Sequence, residues 1–285
     1  MLKHKEKIMK VVFLLSACVC ILSVGLICVF LFGNGIPPIA EIGVKEFLLG
    51  QEWRPFNDIY GILPMIIGSL YVTIGALVIG VPIGILTAIF IAKFCPVSLY
   101  RVIKPAVELL AGIPSVVYGF FGLVVLVPFI REYIGGSGTS MLAASILLGI
   151  MILPTIISVS EAAITAVPEN YYEGGLALGA SHERSVFFSV VPAAKSGILA
   201  GVVLGMGRAI GETMAVIMVA GNQPRMPQGI LEGVRTLTTN IVIEMGYSAD
   251  LHREALIATA LVLFVFILII NFSFNLLRRR LISYE

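Results

Sequence analysis

Long apolar runs separated by short polar stretches set the pattern of this chain. Runs long enough to cross a bilayer, about 20 residues, occupy 11–32, 64–92, 106–130, 141–160, 196–220 and 255–277. The segments between them are polar, or rich in Gly and Pro. A bilayer core offers no water to backbone N–H and C=O groups, so each run is predicted to satisfy them internally as a helix. The pattern therefore predicts an all-α integral membrane protein with six transmembrane helices. The first run, of 22 residues, follows Lys3, Lys5, Lys7 and Lys10. A signal peptide has an apolar core of about 7–15 residues, and no small-residue cleavage site follows here, so the run is read as a retained helix. Residues 1–63 then form an N-terminal helix and loop, and 64–285 a core of five helices.

Composition agrees with this pattern. The chain is 58% hydrophobic and 13% charged, with mean hydropathy +1.02. A soluble domain carries about 25% charged residues, so a water-exposed globule is excluded. Lys and Arg flanking the runs set orientation. With the N-terminus inside, twelve of the 19 fall in inside segments, six in outside segments, and Arg208 within a run. Both termini are predicted to be cytoplasmic, with loops 33–63 and 221–254 outside. Cys18, Cys20 and Cys28 lie in the first run and Cys95 just after the second, with no spacing to His that suggests a metal. Gly135-Gly136-Ser137-Gly138-Thr139 lacks the Lys of a phosphate-binding loop and reads as a flexible turn. No other nucleotide motif is present, so ATP, if it drives this protein, is bound by another chain. No cofactor and no nucleic-acid partner are indicated; membrane lipid is.

The longest inside segment is 161–195. Pro168, Glu169 and Glu173 suit the start of a helix, Gly179 can end it, and Ser181 can cap a second helix, 182–190. A helix–Gly–helix module suits a groove on a soluble partner. Its Glu173-Gly174-Gly175, Gly179 and Pro192 resemble the EAA loop of ABC importer permeases, in which Glu-Ala-Ala is followed by Gly and later by Ile-x-Leu-Pro. Gly174 and Gly175 replace both alanines, Ser189 replaces Ile and Val191 replaces Leu. Glu161-Ala162-Ala163 is a decoy, since no Gly stands at 167. The resemblance implies that Glu173, Gly174, Gly175, Gly179 and Pro192 couple the chain to a cytoplasmic ATPase.

Arg208 sits midway along 196–220. A charge at the bilayer centre costs about 2.5–3.5 kcal/mol on insertion scales. Its planar, permanently protonated fork suits an oxyanion. Glu212, four residues later, is expected on the same helical face. The pair reads either as a structural ion pair or as an anion site in a water-accessible path. Two stripes of small residues flank it, Gly197-Gly201-Gly205-Ala209-Thr213 and Gly207-Gly211-Ala215. Such stripes let membrane helices approach closely, within one subunit or between two. Pro82, Pro114, Pro128 and Pro154 are expected as kinks, Glu108 as a solvated end charge, and Trp53, Tyr60 and Tyr71 as interfacial anchors.

The segment 207–216, Gly-Arg-Ala-Ile-Gly-Glu-Thr-Met-Ala-Val, resembles the PstC-type permeases of bacterial phosphate importers. So do 108–119, Glu-Leu-Leu-Ala-Gly-Ile-Pro-Ser-Val-Val-Tyr-Gly, and Arg235-Thr236-Leu237-Thr238. The likeness spans about 53–277. It implies the type I ABC importer permease fold, in a bacterial or archaeal cell membrane. It also implies translocation of phosphate past Arg208, Glu212 and Thr213 by alternating access. Implied partners are a PstA-type second permease, two PstB-type ATPase subunits and an extracytoplasmic PstS-type phosphate-binding protein. The chain itself is then a transport subunit, not an enzyme. A PstA-type permease, or one for sulfate or molybdate, would look similar. An ion-coupled secondary transporter would work alone; interrupted, repeated helices mark that class, and the pattern shows none clearly.

Overall fold

The computed structural model describes residues 2–282, whose regular elements are helices apart from one two-stranded hairpin. Helix α1 (Leu2–Ile42) and α2 (Val44–Leu49) lead into the hairpin, β1 (Trp53–Arg54) and β2 (Ile59–Tyr60). Then come α3 (Leu63–Ile89), α4 (Val97–Gly112), α5 (Ser115–Phe121), α6 (Val127–Tyr133) and α7 (Met141–Thr165). Short helices α8 (Glu169–Ala177), α9 (His182–Ser185) and α10 (Val191–Ala193) precede α11 (Lys195–Gly211). The chain closes with α12 (Met214–Val219), α13 (Leu237–Glu244) and α14 (Asp250–Ile282). Single π-helical turns join α5 to α6 and α9 to α10, and extend α3 over Phe90–Phe94.

Five helical segments are long and apolar enough to cross a membrane: Met9–Ile42, Leu63–Phe94, Ser115–Tyr133, Met141–Thr165 and Asp250–Phe274. Counted as one broken span, His182–Ala193 and Lys195–Gly211, bent by 69°, make a sixth among the described residues. Two expected runs are not continuous helices. The run 106–130 is divided, because Ile113 and Pro114 are extended between α4 and α5. The run 196–220 is divided at Glu212, also extended, between α11 and α12. Interrupted helices, not evident in the apolar pattern, are therefore present. The side chains of Lys3, Lys5 and Arg278 to Arg280, which enter the charge count, lie outside the described residues.

The centre of the bundle is α7 packed along α3. A Cβ on Gly80 would lie 2.8 Å from the Gly149 carbonyl, and one on Gly84 2.8 Å from Ile156, so only small residues permit this approach. Around the pair lie the buried Leu147, Leu148, Met151, Ile152, Val216 and Val219. Outside this core, α1 runs along α14, with Phe32 edge-on to Phe264 at 6.4 Å.

Each end of the bundle has its own cluster. At one, the loop end, Val186 and Val190 pack on Ala88, Ile89 and Ile164. At the other, the hairpin end, Phe47, Trp53, Tyr60 and Ile62 pack on Leu237, Ala255 and Leu256. Trp53 and Tyr60 are therefore not interfacial anchors: they are 5% and 3% exposed. Trp53 Nε1 donates to Glu244 Oε2 at 2.7 Å. Buried Glu244 also pairs with Arg235 Nη1 at 2.5 Å and His252 Nε2 at 2.9 Å. A buried carboxylate needs such partners. Tyr71 alone of the three expected anchors is exposed.

Candidate functional site

The two interruptions lie side by side. α5 and α12 pack so closely that a Cβ on Gly119 would meet Ala215 Cα at 2.9 Å and Met218 Sδ at 2.7 Å. At the first break, Pro114 cannot donate a backbone hydrogen bond and forces its neighbour out of helical geometry. Tyr118 Oη donates across the gap to the Leu110 carbonyl at 2.8 Å. At the second, no proline is involved. Glu212 Oε1 accepts from Thr213 N at 3.0 Å and Ala215 N at 3.2 Å, and so caps α12. Thr213 Oγ1 donates to the Gly211 carbonyl at 3.2 Å.

This corrects the expected geometry of Arg208 and Glu212. The helix ends at Gly211, so the two are not fourth-residue neighbours on one face, and Glu212 is occupied as a cap. Arg208 forms no ion pair or hydrogen bond with any described residue; its charge reaches the Tyr118 hydroxyl. It is half-buried. The small stripes also divide their work. A Cβ on Gly197, Gly201 or Gly205 would press on Ala163, Ser160 or Ile156 of α7, whereas Gly207 and Gly211 have nothing within 4 Å. The first stripe is helix packing; of the second, Gly207 and Gly211 lie open beside Arg208, whereas Ala215 is buried against Gly119.

The motif Arg235-Thr236-Leu237-Thr238 meets the second break. Thr236 and Thr239 form a reciprocal capping box at the start of α13, and Leu237 N donates to Ser69 Oγ at 2.9 Å. Thr238 Oγ1 donates to the Glu212 carbonyl at 3.1 Å. Thr238 was not among the candidate residues read from the sequence. The motif containing it was visible, but nothing in the spacing places position 238 beside 212.

At the loop end, α8 stops in a Schellman arrangement, with Ala180 N bonded to Gly175 O at 3.1 Å and Gly179 N to Leu176 O at 2.9 Å. Gly179 has φ +81, a left-handed conformation that glycine adopts without strain. Ser181 caps α9 through Arg184 N at 3.4 Å. The second helical stretch runs through to Ala193, past the expected end at 190. Gly175 faces α9 closely: a Cβ there would lie 2.6 Å from Ser185 Oγ, which accounts for glycine in place of alanine. Gly174 has open space. Glu173, Gly174, Gly179 and Pro192 are exposed. Leu178 and Phe188, 90% and 76% exposed, edge a hollow of about 370 Å³ floored by Gly175 and Ser185. The module is fixed to the end of the second span. Lys93 lies 3.6 Å from Glu169 and 5.7 Å from the Tyr172 ring, and Phe94 stacks edge-on to His182 at 4.7 Å. The decoy Glu161 instead bonds Lys104 and Tyr100 of α4.

The family model of the inner membrane component of binding-protein-dependent transport systems matches residues 80–283. The chain belongs to this family. It is thus a permease component, not itself an enzyme. The permease is 44% identical over 255 residues to the probable ABC transporter permease protein YqgH of Bacillus subtilis, covering 88% of this chain and 79% of that one. It is 34% identical over 271 residues to the phosphate transport system permease protein PstC of Mesorhizobium japonicum, covering 88% and 83%. Solved structures share its type I importer fold. A chain of the inward-facing MetNI methionine ABC transporter matches with TM-score 0.58 and 20% identity, over 78% of this chain and 94% of that one. A chain of a bacterial ABC transporter involved in import of the acidic polysaccharide alginate matches with TM-score 0.59 and 18% identity, over 93% and 95%.

Proposed function

We propose that this permease conducts inorganic phosphate into the cell as the PstC-type subunit of an ATP-driven importer. The observation that carries the reading is the unpaired Arg208, half-buried beside a break in a membrane helix. Broken helices are where membrane transporters build substrate sites. An unpaired guanidinium can present its planar fork to a phosphate oxygen pair. Glu212 acts in this reading by holding the break open, and Thr213 offers a hydroxyl at its edge. The names of the PstC relatives support phosphate over other oxyanions.

The loop end is cytoplasmic in this reading, as are both termini, because the segments assigned inside hold twelve of 19 Lys and Arg. The exposed α8–α9 module, with Glu173, Gly174, Gly175, Gly179 and Pro192, then faces a PstB-type ATPase dimer. The open Gly207–Gly211 stripe fits a PstA-type permease, so that phosphate passes between the two subunits. A PstS-type protein delivers phosphate at the hairpin end.

Phosphate uptake by the reconstituted complex tests the reading. A charge-assisted hydrogen bond contributes about 1.5–3 kcal/mol, so Arg208→Gln should lower uptake about tenfold to a hundredfold while complex yield holds. Parental uptake by that variant would remove Arg208 from the path.

A further inference from the structure

Phe56 is 99% exposed and sits in the single 3-10 turn Pro55–Asn57 that joins β1 to β2. One exposed hydrophobic residue needs no explanation by itself; the support beneath this one does. A two-stranded hairpin alone is marginally stable in water, yet this one is anchored on both strands. Trp53, bonded to Glu244, lies edge-on to Tyr60 at 5.7 Å and 6.2 Å from the His252 ring. Tyr60 Oη donates to Asp58 Oδ1 at 3.1 Å. Burial, then that bond, pushes the Tyr60 pKa up to about 12, so the donor is retained at any physiological pH. At the base, Gly61 N donates to the Glu52 carbonyl at 2.9 Å and Leu63 N to the Gly50 carbonyl at 3.2 Å. The tip is thus a preorganised apolar knob, and preorganisation lowers the entropy cost of binding.

Two surroundings could bury it, the lipid headgroup layer or a protein. Headgroup anchors are Trp and Tyr, and here those two residues point inward. Beside Phe56 stand exposed Glu52, Arg54, Asn57 and Asp58. Arg54 lies 3.4 Å from Glu52, which leaves the Asp58 charge uncompensated by any Lys or Arg of the tip. An acidic tip is repelled by anionic lipid. It complements a protein pocket that is apolar at its centre and basic at its edge, the arrangement in which an aromatic anchor contributes most. The family is that of binding-protein-dependent transport systems, so a binding protein is the partner at hand for an outward-facing apolar tip.

We infer that the hairpin tip is a docking point for that soluble binding protein, with Phe56 as its apolar anchor. The inference rests on the reading of this chain as an importer subunit with its hairpin end outside. The test uses the assembled complex in nanodiscs, titrated with the phosphate-loaded binding protein of the same system. Phe56→Ser should raise the half-saturating concentration of binding protein at least tenfold. The maximal stimulated ATPase rate, the unstimulated rate and complex yield should be unchanged, and Phe56→Leu should lie between. Unaltered half-saturation in Phe56→Ser overturns the assignment while leaving the importer reading intact. A parental complex that the binding protein does not stimulate overturns both. Phe56→Trp supplies a second readout, since the tip tryptophan should change emission when binding protein is added. Quenching by brominated lipid in the absence of binding protein would place the tip in the membrane and end the proposal.

Discussion

The two helix breaks sit against each other and are made by different chemistry. The first, between α4 and α5, is covalent in origin. Pro114 has no N–H to give, and Ile113 before it takes ψ 127. Removing side chains around it is expected to leave the interruption in place. The second, between α11 and α12, is held by side chains. The Glu212 carboxylate takes up Thr213 N and Ala215 N, Thr213 returns a bond to Gly211, and Thr238 reaches in from α13. Nothing in the backbone at 211–214 forbids helix. The first break is therefore a fixed feature, and the second is conditional on four hydrogen bonds. In the proposed reading, with phosphate passing Arg208, a path that opens and closes needs its adjustable element there, and the second break is beside that residue.

The contact between the half-helices is the sharpest place to break this arrangement. Gly119→Leu places a branched side chain where Ala215 Cα stands 2.9 Å from the first added carbon. Backbone cannot withdraw as a flexible side chain can, and overpacking of this kind costs about 1–3 kcal/mol or more. The variant should insert yet lose most assembled complex, with uptake reduced more than tenfold; Gly119→Ala should fall between it and the parent. Complex yield and phosphate uptake, measured together, decide it. Parental values for both would mean that the half-helices do not depend on one another.

The cap comes next. Glu212→Ala removes the acceptor for two backbone N–H groups, a loss of about 0.5–2 kcal/mol, readable as lowered thermal stability of the purified complex. Glu212→Gln keeps a carbonyl acceptor and should lose less. Because no ion pair joins Arg208 to Glu212, the effects of Arg208→Gln and Glu212→Gln on stability should add to within about 0.5 kcal/mol. Mutual rescue in the double variant would restore the ion pair that the geometry lacks.

Much of this was legible in the sequence, for reasons that differ by residue. The crossings followed from apolar length, which the bilayer dictates directly. The helix–Gly–helix shape of the 161–195 loop followed from Gly179, whose left-handed φ no other residue takes as readily. Arg208 stood out as the basic residue in the middle of an apolar run. The break beside it did not, because Glu212 is an ordinary helix former and only its side-chain bonds to Thr213 and Ala215 reveal the cap. Periodicity extends a helix through such a point. The first break was marked by Pro114, but a proline within a span reads equally well as a kink, and Pro82 and Pro154 do remain inside helices here. Trp53 and Tyr60 misled for a related reason. Their amphipathic rings suit a membrane interface, and only the distant Glu244, 191 residues from Trp53, turns the tryptophan inward.

The smallest effect separates the two breaks most cleanly. Tyr118→Phe deletes the hydroxyl that bridges the first break and leaves the ring and Pro114 in place. Thr238→Val deletes the hydroxyl that reaches the second break at nearly constant volume. Tyr118→Phe removes one hydrogen bond, whereas Thr238→Val removes the bond to Glu212 and a second, at 3.0 Å, with Thr236 Oγ1. At about 0.5–1.5 kcal/mol of net stability per bond, both thermal stabilities should fall by small amounts, that of Thr238→Val by the more. Uptake should separate them further. If the first break is fixed by proline, Tyr118→Phe should transport within about twofold of the parent, since less than about 0.4 kcal/mol reaches the barrier. If the second is held by side chains, Thr238→Val carries its loss into the translocating conformations, and uptake should fall by about threefold to tenfold. Initial rates of phosphate uptake at saturating binding protein measure both. Equal losses from the two variants would show that the breaks respond alike, and the distinction between a fixed and a conditional interruption would not stand.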